Sequence, residues 1–174
     1  MPGKLQNGSG SGSGDLFFKV KGAKHGLIKG ESQDDEHKDE IEVLSWSWGM
    51  QARPSLGGGG ASGKATIQEL KILKRVDIAS TALMSALRTN ELIQTATLTL
   101  RKAGKGQLEY FKITIEQGRL TALNIEVDPA SSNGELIENL SFSFNKIEVV
   151  YTPQGQDGQP KGSTMFTDQW DAGS

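Results

Sequence analysis

A mainly β protein, a closed or split antiparallel β-barrel of two sheets with one lateral α-helix, is the fold class that this chain of 174 residues predicts. Three observations lead there. Most of the patterned sequence alternates apolar and polar residues at period two, as strands with one buried face do. A single stretch, 77–89, repeats its apolar residues at helical spacing. The apolar phase also reverses at Asn145-Lys146, as happens where a strand bends out of one sheet into another.

Residues 1–14 (MPGKLQNGSGSGSG) are nearly devoid of apolar side chains and read as a flexible Gly/Ser-rich arm ahead of one domain spanning 15–171. Leu16 to Lys21 form a first strand with Leu16, Phe18 and Val20 on one face, and the glycine-rich run 22–30 is a turn or short hairpin. Residues 31–42 carry seven acids against one lysine, so the first half reads as a solvated loop and the end as the entry to a strand. That strand, Asp39 to Gly49, places Leu44, Trp46 and Trp48 on one face and Ile41, Val43, Ser45 and Ser47 on the other. Two indoles on one face make a large rigid anchor.

Residues 50–63 (MQARPSLGGGGASG) pack poorly as a regular element, because four successive glycines lose much backbone entropy and offer no side chain. Two readings stand: a floppy hairpin connection, or an arm that orders across another subunit. From Lys64 to Lys74 extended patterning returns, with Thr66, Gln68, Leu70 and Ile72 aligned. In the helix Asp77 to Thr89, Asp77 or Ser80 serves as N-cap and Ala79, Leu83 and Leu87 share a face widened by Met84 and Ala86. Arg88 suits the last turn and Asn90 the end.

Gln94 to Lys102 (Ala96, Leu98 and Leu100 against Thr95, Thr97 and Thr99) and Gln107 to Gln117 (Phe111, Ile113 and Ile115) pair as a hairpin through residues 103–106. Thr121 to Val127 is a further strand, and 128–138 a polar loop. Leu140, Phe142 and Phe144 then alternate in one phase, and Ile147, Val149 and Tyr151 in the other. A turn-rich stretch, 153–163, precedes a short final strand, Met165 to Trp170, held by Phe166 and Trp170. Phe18, Trp46, Trp48, Phe142 and Trp170 are the expected core anchors.

Composition narrows the function. Nineteen basic against twenty-one acidic residues leave a net charge of -2, which favours neither nucleic acid nor an anionic membrane as partner. Cysteine is absent, removing disulfides, thiolate chemistry and cysteine metal sites. The N-terminus shows no Sec-type leader and no segment approaches the ~20 apolar residues of a membrane helix.

Motifs for bond chemistry are likewise missing. Gly58 to Lys64 fits G-x-x-x-x-G-K, but Ala65 stands where a hydroxyl would reach Mg²⁺, and a strand rather than a helix follows. His25 and His37 lack a metal-binding spacing, the acids of 34–40 lack calcium-loop spacing, and no serine sits in G-x-S-x-G. No catalytic, cofactor or metal residue is expected. The basic patch Arg101, Lys102 and Lys105 is instead placed to meet an acidic loop such as 34–40 on a neighbouring copy. An exposed strand edge invites such a partner, and a heterologous contact can close into a ring. A monomeric β-sandwich or barrel that binds a ligand through exposed tryptophans is the alternative, and a hydrolase of the open-cleft type is a further competing class.

Gly30-Glu31-Ser32, the run His37 to Gly49 (HKDEIEVLSWSWG), Gly63-Lys64, Leu83-Met84, the hairpin word Thr97 to Gly104 and Glu138 to Phe142 (ENLSF) resemble the Hcp family, the haemolysin co-regulated proteins of bacterial type VI secretion. The resemblance covers about 15–170. It implies a β-barrel with a lateral helix that assembles into a homohexameric ring. Rings of the family stack into a tube within a contractile sheath, tipped by a spike protein, and carry small effectors in the lumen. Such a protein is both cytoplasmic and secreted. By this resemblance residues 49–63 match an extended loop that contributes to stacking, and the helix lines part of the lumen. Ring and stacking contacts are expected at Glu31, Asp34, Asp35, Asp39, Glu40, Met50, Arg53, Leu56, Arg101, Lys102 and Lys105, and cargo contacts at Ser80, Ser85 and Arg88.

Overall fold

A computed structural model describes residues 14–52, 65–104 and 107–170. Twelve strands and one helix make up the described residues. The first strand, β1 (Asp15–Gly22), turns through Gly26 into β2 (Gly26–Ile28), giving the expected hairpin with Val20 opposite Ile28. Strand β8 (Ile93–Arg101) lies on the other side of β1, with Phe18 opposite Leu98 and Val20 opposite Ala96. Phe18, Val20, Ala96 and Leu98 are fully buried, as their shared phase requires.

Residues 107–117 and 121–127, expected as two strands, form one strand of 19 residues, β9 (Glu109–Val127). Its first half pairs with β8 and its second with β10 (Leu136–Ser143). Gln117, with φ 51°, and Gly118 carry it from one sheet to the other. A side chain on Gly118 would stand 2.8 Å from the Ser143 carbonyl. Gly118 therefore serves as a close-packed kink inside a strand.

The phase reversal at Asn145-Lys146 is borne out. Strand β10 ends at Ser143, and β11 (Lys146–Tyr151) continues along β9 in the other sheet, with Ile147 opposite Ile115. Beyond β11 lies β12 (Thr164–Gln169), paired through Val149 and Phe166. On the far side of β10 runs β7 (Leu70–Arg75), with Leu140 opposite Ile72.

The tryptophan segment closes the circuit. It divides into β3 (Ile41–Glu42), which pairs with β1, and β4 (Ser45–Ser47), which pairs with β7. Between them the Val43 N–H donates to the Leu16 carbonyl of β1, and the Leu44 N–H donates to the Leu73 carbonyl of β7. This change of partner also changes which side chains face inward. Ile41 and Val43 are buried, Leu44 is exposed, and Trp46 and Trp48 are only half-buried at the margin of the core. The single-phase reading of 39–49 thus fails at Val43-Leu44.

Two short strands, β5 (Met50–Gln51) and β6 (Thr66–Ile67), form a separate ribbon at the roots of the glycine-rich loop, whose residues 53–64 lie outside the described ones. The helix, α1 (Ser80–Arg88), packs on β9. Its buried residues are Ser80, Leu83 and Ala86, whereas Met84 faces outward. Neither Asp77 nor Ser80 is the N-cap; that position is Ala79. The Asp77 carboxylate accepts from the Ala79 N–H, and Ser80 uses its hydroxyl on the Asp77 N–H. Asn90, at φ 53°, follows the helix end as expected.

Candidate assembly surface

Strand β12 is unlike the other strands of six or more residues because all of its residues are exposed. Met165 is 65% and Phe166 39% exposed, with Tyr151 of β11 beside them at 47%. Among the described residues β12 pairs only with β11, so its outer edge keeps free backbone donors and acceptors. An unpaired edge that also carries exposed apolar side chains is a surface fitted to another polypeptide. Phe166 and Trp170 are the two apolar anchors expected for this strand. Only Trp170 packs inward, its ring 5.7 Å from Phe144.

The acidic loop 31–40 is folded back on its own barrel rather than solvated throughout. Gly30 and Ser32 donate their N–H groups to the Asp39 and Glu40 carbonyls, and Asp39, at φ 63°, returns its N–H to Ser32. A β-carbon on Gly30 would stand 2.5 Å from the Glu40 carbonyl, which explains a glycine at the head of Gly30-Glu31-Ser32. Asp34 binds Arg101 at 2.5 and 3.0 Å, and Asp15 holds the same guanidinium at 2.9 Å. The Arg101 side chain is 2% exposed and lies over the Phe17 ring at 4.9 Å. The expected salt link between basic hairpin and acidic loop therefore exists, but within one chain. Arg101 reaches its own Asp34 because β1, β8 and the loop meet at the same end of the barrel. This bond lowers the Asp34 carboxyl to about 2, and Asp34 in turn raises Arg101.

His37, buried at 8% exposure, stacks flat on Phe17 at 4.2 Å. Its Nε2 lies 2.6 Å from Glu109, and its Nδ1 contacts Glu40. Glu36, His37 and Glu109 come close enough to share an ion, and both ring nitrogens of His37 already face carboxylate oxygens. Burial pushes the Glu109 carboxyl up, and bonds from His37 and Lys112 outweigh it, so the net shift is downward. Glu91, also buried, is likewise pulled down, because His25 and the N–H groups of Lys24 and His25 outweigh burial.

The remaining expected interface residues divide. Glu31, Asp35, Met50 and Lys102 are exposed, and Asp39 is half-buried. Glu40 is engaged by His37, while Lys102 sits 5.5 Å over the Tyr110 ring and reaches Gln154. Arg53, Leu56 and Lys105 lie outside the described residues. Of the cargo residues, Ser85 and Arg88 are exposed but Ser80 is not. Its hydroxyl accepts from Lys74 Nζ at 3.1 Å beneath the helix, so the cargo role expected for Ser80 has no surface to act through. Nor does this pair suit hydrolysis, since Lys74 is itself fully buried and bonded to Asp77 at 2.8 Å. Phe18 and Phe142 are core anchors in edge-to-face contact at 5.4 Å. Trp46 stacks on Phe111 at 5.7 Å from the core margin, and the buried Trp48 Nε1 finds no acceptor.

The sequence reading missed the buried Lys74 and Glu138, which face each other across β7 and β10. A signal existed: Lys74 shares its phase with Leu70 and Ile72, and Glu138 with Leu140 and Phe142. The buried role of His37 carried no such signal.

Comparison with known proteins agrees with this geometry. Residues 17–151 match the family model described as type VI secretion system effector, Hcp. The chain is 40% identical over 156 residues to Hcp1 of Pseudomonas aeruginosa, covering 87% of this chain and 91% of that one. It superposes on the structure of a type six secretion system protein with TM-score 0.78 at 25% identity, covering 91% and 96% of the two chains. On Hcp1 from Salmonella typhimurium the TM-score is 0.70 at 28% identity, with 90% and 94% covered. An alternating β-barrel with one helix, the specific words around Trp46 and Trp48, and a match over most of the chain together show that this protein belongs to the Hcp family of the type VI secretion system.

Proposed function

We propose that six copies of this chain close into a ring, that rings stack into the secreted tube of the type VI system, and that small effectors travel in the lumen. Its partners are then itself, the spike protein, the sheath and those effectors, and it works by assembly rather than bond chemistry, in the cytoplasm and after export.

The observation that carries this reading is β12, a fully exposed edge strand bearing Met165 and Phe166. Desolvating two such side chains at each junction favours association, and an unpaired edge gives it direction. The exposed Glu31, Asp35, Met50 and Lys102, with Arg53, Leu56 and Lys105 outside the described residues, are candidates for ring and stacking contacts. Ser85 and Arg88 of α1 are candidates for cargo.

Size-exclusion chromatography with light scattering tests it. A mass near six times 18.7 kDa is expected, collapsing to the protomer in Met165→Asp/Phe166→Asp. A monomer across a wide concentration range would sink the reading and return the chain to a ligand-binding barrel.

A further inference from the structure

The loop 31–40 presents a local problem of protons. Both ring nitrogens of His37 meet carboxylates, Nε2 on Glu109 and Nδ1 on Glu40. A carboxylate only accepts, and a neutral imidazole has one N–H, so satisfying both contacts requires the doubly protonated ring. We propose that a charged His37 clips the acidic loop to the barrel, and that loss of its proton loosens residues 31–40, so that their backbone bonds open more readily while the barrel stays folded.

Every element packed around the ring bears on this. From the loop come Asp34, Glu36 and Glu40; from β9, Glu109 with Lys112 at 3.4 Å; from β8, Arg101; and from β1, Asp15 on that arginine and Phe17 stacked on the imidazole. Five carboxylates (Asp15, Asp34, Glu36, Glu40 and Glu109) thus stand against two cations, Arg101 and Lys112. A third positive charge at His37 offsets part of that excess. When it goes, a ring nitrogen lone pair faces a carboxylate oxygen, and a partly buried acceptor is left without a donor. The connections that remain are the Asp34–Arg101 pair and the backbone bonds of Gly30, Ser32, Asp39 and Glu40, whose opening the histidine clip no longer opposes.

Hydrogen exchange on the full chain, corrected for intrinsic rate, tests this across a pH series from about 5 to about 10. Protection at the N–H groups of Ser32, Asp39 and Glu40 is expected to fall about tenfold to a hundredfold as His37 loses its proton, the scale of hydrogen bonds to a charged group. The proton itself is followed by ring nitrogen shifts in histidine-labelled protein. Glu109→Gln supplies the control, because an amide can donate to a bare ring nitrogen. That variant is expected to keep its loop protected at high pH. Three results would each overturn the proposal: flat protection in the wild type, a parallel fall in Glu109→Gln, or equal loss at the β8–β9 amides. None of these readouts depends on ring formation.

Discussion

Lys74 and Glu138 offer a demanding test of how the barrel and its helix are joined. Both are fully buried and directly opposed across β7 and β10. The Lys74 ammonium donates to Asp77 at 2.8 Å, to Ser80 at 3.1 Å and to Glu138 at 3.4 Å, so it ties the start of α1 to the sheet. Glu138 has one oxygen already without a partner. Lys74→Met removes the only cation that, among the described residues, pairs with the buried Glu138 carboxylate, and breaking such a pair from one side costs about 3–5 kcal/mol. At about 2.1 cal/mol/K of unfolding entropy per residue, that lowers the melting temperature by about 8–14 °C for a chain this long. Adding Glu138→Leu removes the stranded charge, and Asp77 has a route to water at 10% exposure, so the double variant should recover most of the loss. Urea and thermal unfolding followed by circular dichroism, at fixed protein concentration, measure all four corners of the cycle. A Lys74→Met protein within ~1 kcal/mol of wild type, or a double variant no better than the single, would refute the account.

Two other predictions follow from the loop. The Asp34 carboxyl is held at about 2, below its ordinary value, so its pairing with Arg101 stabilises the loop above that ordinary value and is lost as the pH falls through about 2. Exchange at the 34–37 amides should rise in that acid range in wild type, whereas Asp34→Asn should lack this step. Gly30→Ala forces a β-carbon against the backbone of Glu40 and Ile41, which cannot swing aside as a side chain can. It should displace the loop and lower the melting point, and an unchanged melting curve together with unchanged loop exchange would contradict the geometry.

Much of this protein was legible in the amino-acid order. Period-two alternation set β1, β7 and β8, and the reversal at Asn145-Lys146 marked the passage from β10 to β11 between sheets. These are local properties, since side chains point alternately from an extended backbone whatever surrounds it. The words around Trp46 and Trp48 carried the family. What the order of residues left open were relations between distant segments. Nothing local shows that β3 and β4 change partner at Val43-Leu44, and so turn Leu44 outward, because the β1 and β7 edges that decide it lie far away in sequence. Nothing local shows that Arg101 spends its charge on Asp34 of its own chain, 67 residues away. A charge pattern names possible partners, and only the meeting of three elements at one barrel end chose among them. The same meeting put His37 between Glu40 and Glu109. Alternation thus determined the strands, whereas closure of the barrel decided which charges were buried, because burial depends on what the other side of the molecule brings.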